Sequence, residues 1–352
     1  MSILFPRFKK KSLTLAYNLS PEVLAEFLEE INNKKLFQCI IRSKGKDSRD
    51  DEQKKFIFGQ ISFKNKDQKV ISLIILCRTQ IICAYINNII SFFNLVEERC
   101  FKTIVIDQSG QLTCLIKLSK TRVAFASSEE KNIKIFDLST EKYLKFLSTD
   151  GIVSYITKIN KGQIAFVNYN SSITVIDINT GNKINSITGL NDCINYIIRL
   201  GYSQLVIGGS RNNSLKIWDL YKESCLQSLT NIISNRSIIF ISLVQFSKSK
   251  LVSAGKNGEI FVWDLVTMNA LRSWKLYCTV SNITKINKNV IAIGGKDYDI
   301  KVYDINTGVC LKSIKNKQNS ITYYVVKLNK WQIACGSNKF IYVVNLDLEY
   351  LI

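Results

Sequence analysis

The sequence predicts an all-β chain of seven repeated units, each of four short strands, preceded by a short α-helical segment. Three observations predict it. A phrase of alternating apolar residues, an aromatic or aliphatic residue, Asp or Asn, then Leu or Ile recurs seven times: ISFFNL (90–95), IKIFDL (133–138), ITVIDI (173–178), LKIWDL (215–220), IFVWDL (260–265), IKVYDI (300–305) and IYVVNL (341–346). Its polar residues, Asn94, Asp137, Asp177, Asp219, Asp264, Asp304 and Asn345, are spaced by 43, 40, 42, 45, 40 and 41 residues, and a steady period of this length marks a repeat architecture. No segment from residue 56 onward carries helical periodicity, whereas short alternating runs bounded by turn residues fill every unit.

From the N-terminus, NLSPEVLAEFLEEINN (18–33) reads as a helix, with Ser20 as N-cap and Pro21 at the first helical position. Val23, Leu24, Phe27, Leu28 and Ile31 form one apolar stripe, with the glutamates largely off it. A second short helix is expected over about 34–43, with Gly45 as a stop. Residues 1–45 thus form a helical segment and 46–55 a charged linker. The repeat body, 56–352, follows. In each unit an apolar run such as RVAFAS, KLVSAG or VIAIGG precedes the polar anchor by about twelve residues. A tight polar turn, the anchored strand, a turn such as DINTG and a run such as CLKSI follow. Another apolar strand then opens the next unit. Four strands per period with turns between them is the pattern of propeller blades. The first full triplet starts near Val70, so the run ending at Phe63 (56–63 within KKFIFGQISF) has no place in the first blade. It is expected to close the ring as the outer strand of the last blade, the rival for that place being the tail EYLI (349–352).

These units resemble WD40 repeats: Trp218–Asp219 and Trp263–Asp264 carry the eponymous dipeptide, and Phe136–Asp137 and Tyr303–Asp304 are conservative variants. The resemblance implies a seven-bladed WD40-type β-propeller working by recognition and not catalysis. The chain departs from that pattern in having no histidine, so the Gly-His pair that bonds the turn Asp in such repeats is absent. The N-terminal stretch resembles an F-box through Leu19, Pro21, Glu22, Val23, Phe27, Leu28, Ile31, Leu36, Ile41 and Arg42, with Ser20 as one extra residue and no terminal Trp. It implies docking on a cullin-type ubiquitin ligase through Leu19, Pro21, Val23, Phe27 and Leu28. The alternative reading is an amphipathic hairpin that packs on the propeller or on another partner.

The absence of histidine removes His-based triads and metal sites. No phosphate-binding Gly loop is present, and the anchor carboxylates recur once per unit, which points to turn capping. No catalytic residue, metal site or cofactor is predicted. The cysteines have no CxxC spacing and mostly sit in apolar runs, so they read as free thiols of a reducing compartment, with a cytoplasmic location expected. The apolar window 70–90 is broken by Arg78 and Gln80 and reads as two strands, not a membrane span.

Lys and Arg number 48 against 28 Asp and Glu, a formal charge of +20. Residues 1–55 contribute +4, so the excess lies along the repeat body and favours an acidic partner; a Lys-rich coding bias is the bland alternative. The residue eight before each anchor is Ile86, Glu129, Tyr169, Arg211, Lys256, Lys296 or Ser337. In WD40 propellers that turn lines the top face, so the resemblance implies a basic arc of Arg211, Lys256 and Lys296, joined by Arg236. Such an arc suits an acidic or phosphorylated protein partner. Two further partner readings stand beside it: a structural subunit of a larger assembly, and an RNA- or ribosome-associated propeller. The last is the lesser one, because no basic cluster interleaved with aromatics stands out along the chain.

Overall fold

The runs that read as single strands fold as twenty-eight strands in seven four-stranded antiparallel sheets, among the described residues. The computed structural model describes residues 61–64, 69–97, 99–188, 190, 193–201, 203–209, 214–230, 238–297, 299–315, 321–330, 332–337 and 340–346. The helical segment and linker expected over 1–55 lie outside them, as does the tail 347–352. The chain divides between Gly59 and Gln60, and every described residue belongs to the second part.

Strand β1 is Ile61–Lys64. The first sheet holds β2 (Val70–Cys77), β3 (Gln80–Tyr85), β4 (Ile89–Asn94) and β5 (Arg99–Val105). The second holds β6 (Leu112–Lys117), β7 (Arg122–Ser127), β8 (Asn132–Asp137) and β9 (Lys142–Ser148). The third holds β10 (Val153–Lys158), β11 (Gln163–Asn168), β12 (Ile173–Asp177) and β13 (Lys183–Ile187). The fourth holds β14 (Ile194–Leu200), β15 (Gln204–Gly209), β16 (Ser214–Asp219) and β17 (Ser224–Thr230). The fifth holds β18 (Phe240–Gln245), β19 (Lys250–Gly255), β20 (Glu259–Asp264) and β21 (Ala270–Lys275). The sixth holds β22 (Val280–Lys285), β23 (Val290–Gly295), β24 (Ile300–Asp304) and β25 (Cys310–Ile314). The last runs β26 (Thr322–Lys327), β27 (Gln332–Ser337), β28 (Phe340–Asn345) and then β1. In that sheet Ile61 lies opposite Val343 and Lys64 opposite Phe340.

The first strands of the sheets, β2, β6, β10, β14, β18, β22 and β26, each lie against the next, and β26 lies against β2. The sheets therefore stand as blades around a closed ring. The sequence explains the layering. Second strands such as β7 and β23 are near-continuous apolar runs and are buried along almost their whole length, because a blade has a neighbour on both faces. Outer strands such as β9 (KYLKFLS) alternate, with every second side chain in solvent. The core is seven clusters, one per blade–blade seam. At the closing seam Val70, Leu73, Ile81 and Phe93 of the first blade pack with Ala334, Ile341 and Val343 of the last.

With no histidine, other bonds take over inside the blades. Trp263 is fully buried and its Nε1 donates to Ser253 Oγ at 2.8 Å. In the fourth blade Ile207 stands where Ser253 would be, and Trp218 Nε1 has no partner among the described residues. In two blades a lysine four residues further on pairs with a carboxylate of the turn before the third strand: Lys134 with Glu130 at 2.8 Å and Lys301 with Asp297 at 2.5 Å. Burial pushes the Glu130 carboxyl up, but hydrogen bonds from Lys134, the Ser109 N–H and Asn132, with the Lys134 charge, together hold the group below its usual range. No helix among the described residues is long and apolar enough to cross a membrane.

Candidate functional site

Backbone hydrogen bonds fix two faces of the ring. On the top face, in five blades, a residue eight or nine before the anchor donates its N–H to the loop that opens the blade: Ile86 to Lys69 O, Ser128 to Gln111 O, Tyr169 to Ile152 O, Lys256 to Ile239 O and Lys296 to Thr279 O. Lys256 and Lys296 are thus equivalent turn residues in consecutive blades, and both are exposed. Arg211 and Arg236 lie outside the described residues. The same face carries carboxylates, among them Asp107, Glu129, Asp150, Glu259, Asp297 and Asp299, so its charge is mixed. Asp297 is engaged by Lys301 and raises the Lys301 pKa.

On the bottom face the residue after six of the seven anchors donates its N–H to the turn between the first two strands: Leu95 to Thr79 O, Leu138 to Thr121 O, Ile178 to Gly162 O, Leu220 to Ser203 O, Leu265 to Ser249 O and Ile305 to Asn289 O. The anchors close their own turns. Asn94 Oδ1 accepts from Val96 N at 2.9 Å, and Asp177 Oδ1 from Asn179 N and Thr180 N, both at 2.8 Å. Asp219 accepts from Tyr221 N and Lys222 N, Asp264 from Val266 N, and Asp304 from Asn306 N and Thr307 N. Asp137 accepts from the N–H and hydroxyl of Ser139, and Asn345 Oδ1 from Gln332 Nε2. Donors that favour the charged form hold Asp137, Asp177, Asp219 and Asp264 below the usual carboxylate range. For Asp137 the Ser139 hydroxyl is the largest cause, and for Asp177, Asp219 and Asp264 it is a turn N–H. These carboxylates are occupied by turn backbone and are not poised for proton transfer.

Inside the anchors lies a feature that reading along the chain missed. The sixth position of the first strand is basic in five blades: Lys117, Lys158, Arg199, Lys285 and Lys327. These side chains are half-buried. Three of them staple neighbouring blades. Lys117 Nζ donates to Ile75 O at 2.9 Å and Leu76 O at 2.7 Å, Lys158 Nζ to Leu118 O, and Lys285 Nζ to Phe246 O, each on the preceding blade's first strand or the residue that follows it. Lys285 also lies over the Phe246 ring, 4.9 Å from its centroid. Just beyond, the turns between first and second strands carry Arg78, Lys120, Lys161, Lys248, Lys288 and Lys330, all exposed. The signal was present in the repeat alignment: LIKLSK, YITKINK, NITKINK and VVKLNK place a lysine between an apolar strand and its turn. Aligning on the anchor alone leaves it unread.

Further into the ring, the third position of the first strand is tyrosine in three blades, Tyr155, Tyr196 and Tyr324. Tyr155 and Tyr196 lie 4.5 Å apart between ring centroids. Burial raises all three phenols, so they stay neutral. No group of three or more Cys, Asp or Glu residues suited to a metal occurs among the described residues.

Comparison with solved structures gives the architecture a reference. U3-55K and the RRP9 WD40 repeats each superpose with a TM-score of 0.71, over 81% of this chain and 98% and 97% of theirs, at 14% identity. The fold is a WD40-type propeller. No protein-family model matches the chain. Among curated proteins it is similar to Autophagy-related protein 16 of Arabidopsis thaliana, 24% identical over 181 residues, which is 49% of this chain and 34% of that one. It is also similar to a putative BTB/POZ domain and WD-repeat protein of Acanthamoeba polyphaga mimivirus, 23% identical over 291 residues, 76% of this chain and 58% of that one. In both cases the chain covers less than two thirds of the relative's length.

Proposed function

We propose that this propeller is a non-catalytic interaction scaffold that takes an acidic or phosphorylated protein partner on its top face. The observation that carries this reading is the equivalence of Lys256 and Lys296: exposed side chains at one turn position of consecutive blades, with Arg211 at the same position of the preceding unit in sequence. A rigid ring presents such turns at fixed separations, which suits recognition of spaced anionic groups. Two other sets of titratable groups on the ring support it from the other side, since the anchor carboxylates serve turns and Tyr155, Tyr196 and Tyr324 are half-buried and neutral. The N-terminal segment, read as F-box-like through Leu19, Pro21, Val23, Phe27 and Leu28, would couple such a partner to a cullin-type ubiquitin ligase.

The test is affinity purification with quantitative mass spectrometry on the full chain, on K256E/K296E and on a chain starting at Lys54. The reading expects a set of partners lost on charge reversal, and ligase subunits lost with the N-terminal segment. Partners retained by the charge-reversed protein would refute top-face recognition. Recovery of one stable assembly without ligase subunits, by both full and shortened chains, would assign a scaffold subunit without a ubiquitin role.

A further inference from the structure

We infer that the bottom face, opposite the one just discussed, binds the phosphate backbone of single-stranded nucleic acid without regard to sequence. The inference starts from a count that only the fold makes meaningful. The seven first strands and the turns that follow them contain five strand-end cations and six turn cations, and no Asp or Glu. A residue that recurs once per repeat is dispersed along the chain, but ring closure gathers every copy around one axis. The nearest carboxylates, the five anchor aspartates, lie farther out at the ends of the third strands and accept hydrogen bonds from their own turns. Even counting all five against the eleven cations, the centre of this face keeps an excess of six positive charges.

The inner charges are positioned before any ligand arrives. Lys117 spends two of its three N–H donors on carbonyls of the neighbouring blade, which fixes the ammonium at the rim and leaves its charge in place. Around this fixed set stands the exposed set on the turns, whose flexible stems let it follow a partner.

The chemistry of the partner follows from what the described residues of the face carry. A protein partner is held by apolar and aromatic anchors at the centre of its interface, with charge at the rim. Among the described residues of this face the order is reversed, Tyr202 and Trp331 of the same turns lying outside them. None of the exposed large apolar residues lies on the described turns between first and second strands; Tyr221, Val266 and Val309 sit outside them, beyond the anchors. A phosphate backbone needs no apolar anchor, only cations and short polar donors. The same turns supply Ser, Thr and Asn beside the lysines, for example Ser119, Thr121, Asn160, Ser247 and Asn287. The cations also lie on a closed circle. A flexible single strand follows such a curve, whereas a duplex, stiff over about 150 base pairs, crosses it as a rod and meets only part of it.

The experiment is fluorescence anisotropy of the full chain with a labelled oligouridylate about twenty nucleotides long, titrated at salt from about 50 to 200 mM. Competitors are a mixed-sequence RNA, an oligodeoxythymidylate, an RNA duplex of equal length and polyglutamate. The expected result is binding that falls steeply with salt, equal for the two RNA sequences and weaker for the duplex. K120Q/K161Q/K248Q/K288Q should weaken binding by at least about tenfold and flatten the salt dependence, with a loss of roughly 0.7 in log–log slope per phosphate contact removed. Each single Lys→Gln variant should flatten it by a fraction of that, which keeps the test intact if the quadruple variant folds poorly. K131Q/K275Q, at the other face, should bind as the parent does. No RNA binding at low salt, undiminished binding by the four-site and single-site variants, or polyglutamate competing as well as RNA would each overturn the inference, the last by assigning the face to an acidic protein. Equal affinity for duplex and single strand would overturn the single-strand part. The oligodeoxythymidylate arm decides whether RNA or DNA is preferred.

Discussion

Replacing Trp263 tests whether one buried hydrogen bond does in this chain what a histidine-centred set does in WD40 repeats. Trp263 and Ser253 are both fully buried, on adjacent strands of the fifth blade, and the indole N–H donates to the hydroxyl at 2.8 Å. Trp263→Phe keeps an aromatic ring against Phe261, whose centroid lies 5.4 Å away, and removes the N–H. The lost ring volume, roughly 40 Å³, costs about 1 kcal/mol at about 24 cal/mol per Å³ of cavity. The stranded Ser253 hydroxyl costs about 1–3 kcal/mol more, so the expected loss is about 2–4 kcal/mol. Ser253→Ala strands the indole N–H instead, at about 1–3 kcal/mol. The double variant removes both partners, so its loss should fall short of the sum by about 1–2 kcal/mol. Trp218→Phe is the internal control: its N–H has no partner among the described residues, so only the packing loss remains. Equilibrium urea unfolding followed by far-UV circular dichroism measures all four as midpoint shifts at constant slope. Strict additivity at Trp263 and Ser253, or an equal loss at Trp218 and Trp263, would refute the reasoning.

Other outcomes follow from the same structure. Asp177, Asp219 and Asp264 are held below their unfolded value of about 3.9, so their contribution is complete above that value and is lost as pH falls through the folded values. The urea midpoint should therefore match at pH 7 and 5 as far as these groups decide it, and fall by pH 3; a midpoint that rises on acidification would contradict this. Cys83, Cys114 and Cys335 are buried, and burial pushes the Cys114 thiol up to about 12. They should resist Ellman's reagent until denaturant is added, while exposed Cys77, Cys100, Cys225 and Cys310 react in the native protein. Deleting residues 1–68 removes β1 and leaves the outer edge of β28 unpaired, so that variant should aggregate in sedimentation velocity where a chain starting at Lys54 does not. Equal behaviour of the two chains would show that β1 does not protect the ring.

The blades were legible because their signals are local. Period-two alternation, turn residues and an anchor every 40 to 45 residues are read within one unit, and the phrase from Ile133 to Leu138 announces its strand as clearly as the one from Leu215 to Leu220. The anchors from Asn94 to Asp304 were legible as turn caps for the same reason, since each bonds N–H groups two or three residues away. The bottom-face cations were not, although each lysine was in plain view. Lys117 and Lys285 are 168 positions apart in the chain, and the bonds that hold them, to Ile75 and to Phe246, cross from blade to blade.

By itself the sequence determined the strands, their number per unit, the count of units and the exclusion of histidine chemistry, because each follows from residues that are neighbours in the chain. Only the tertiary structure decided which residues share a face. Closing the ring turns a once-per-repeat lysine into a circle of charge and leaves the top face with mixed charge around Lys256 and Lys296. Summed electrostatic fields depend on separations in space, and those are set by which strand ends meet when the last blade packs on the first.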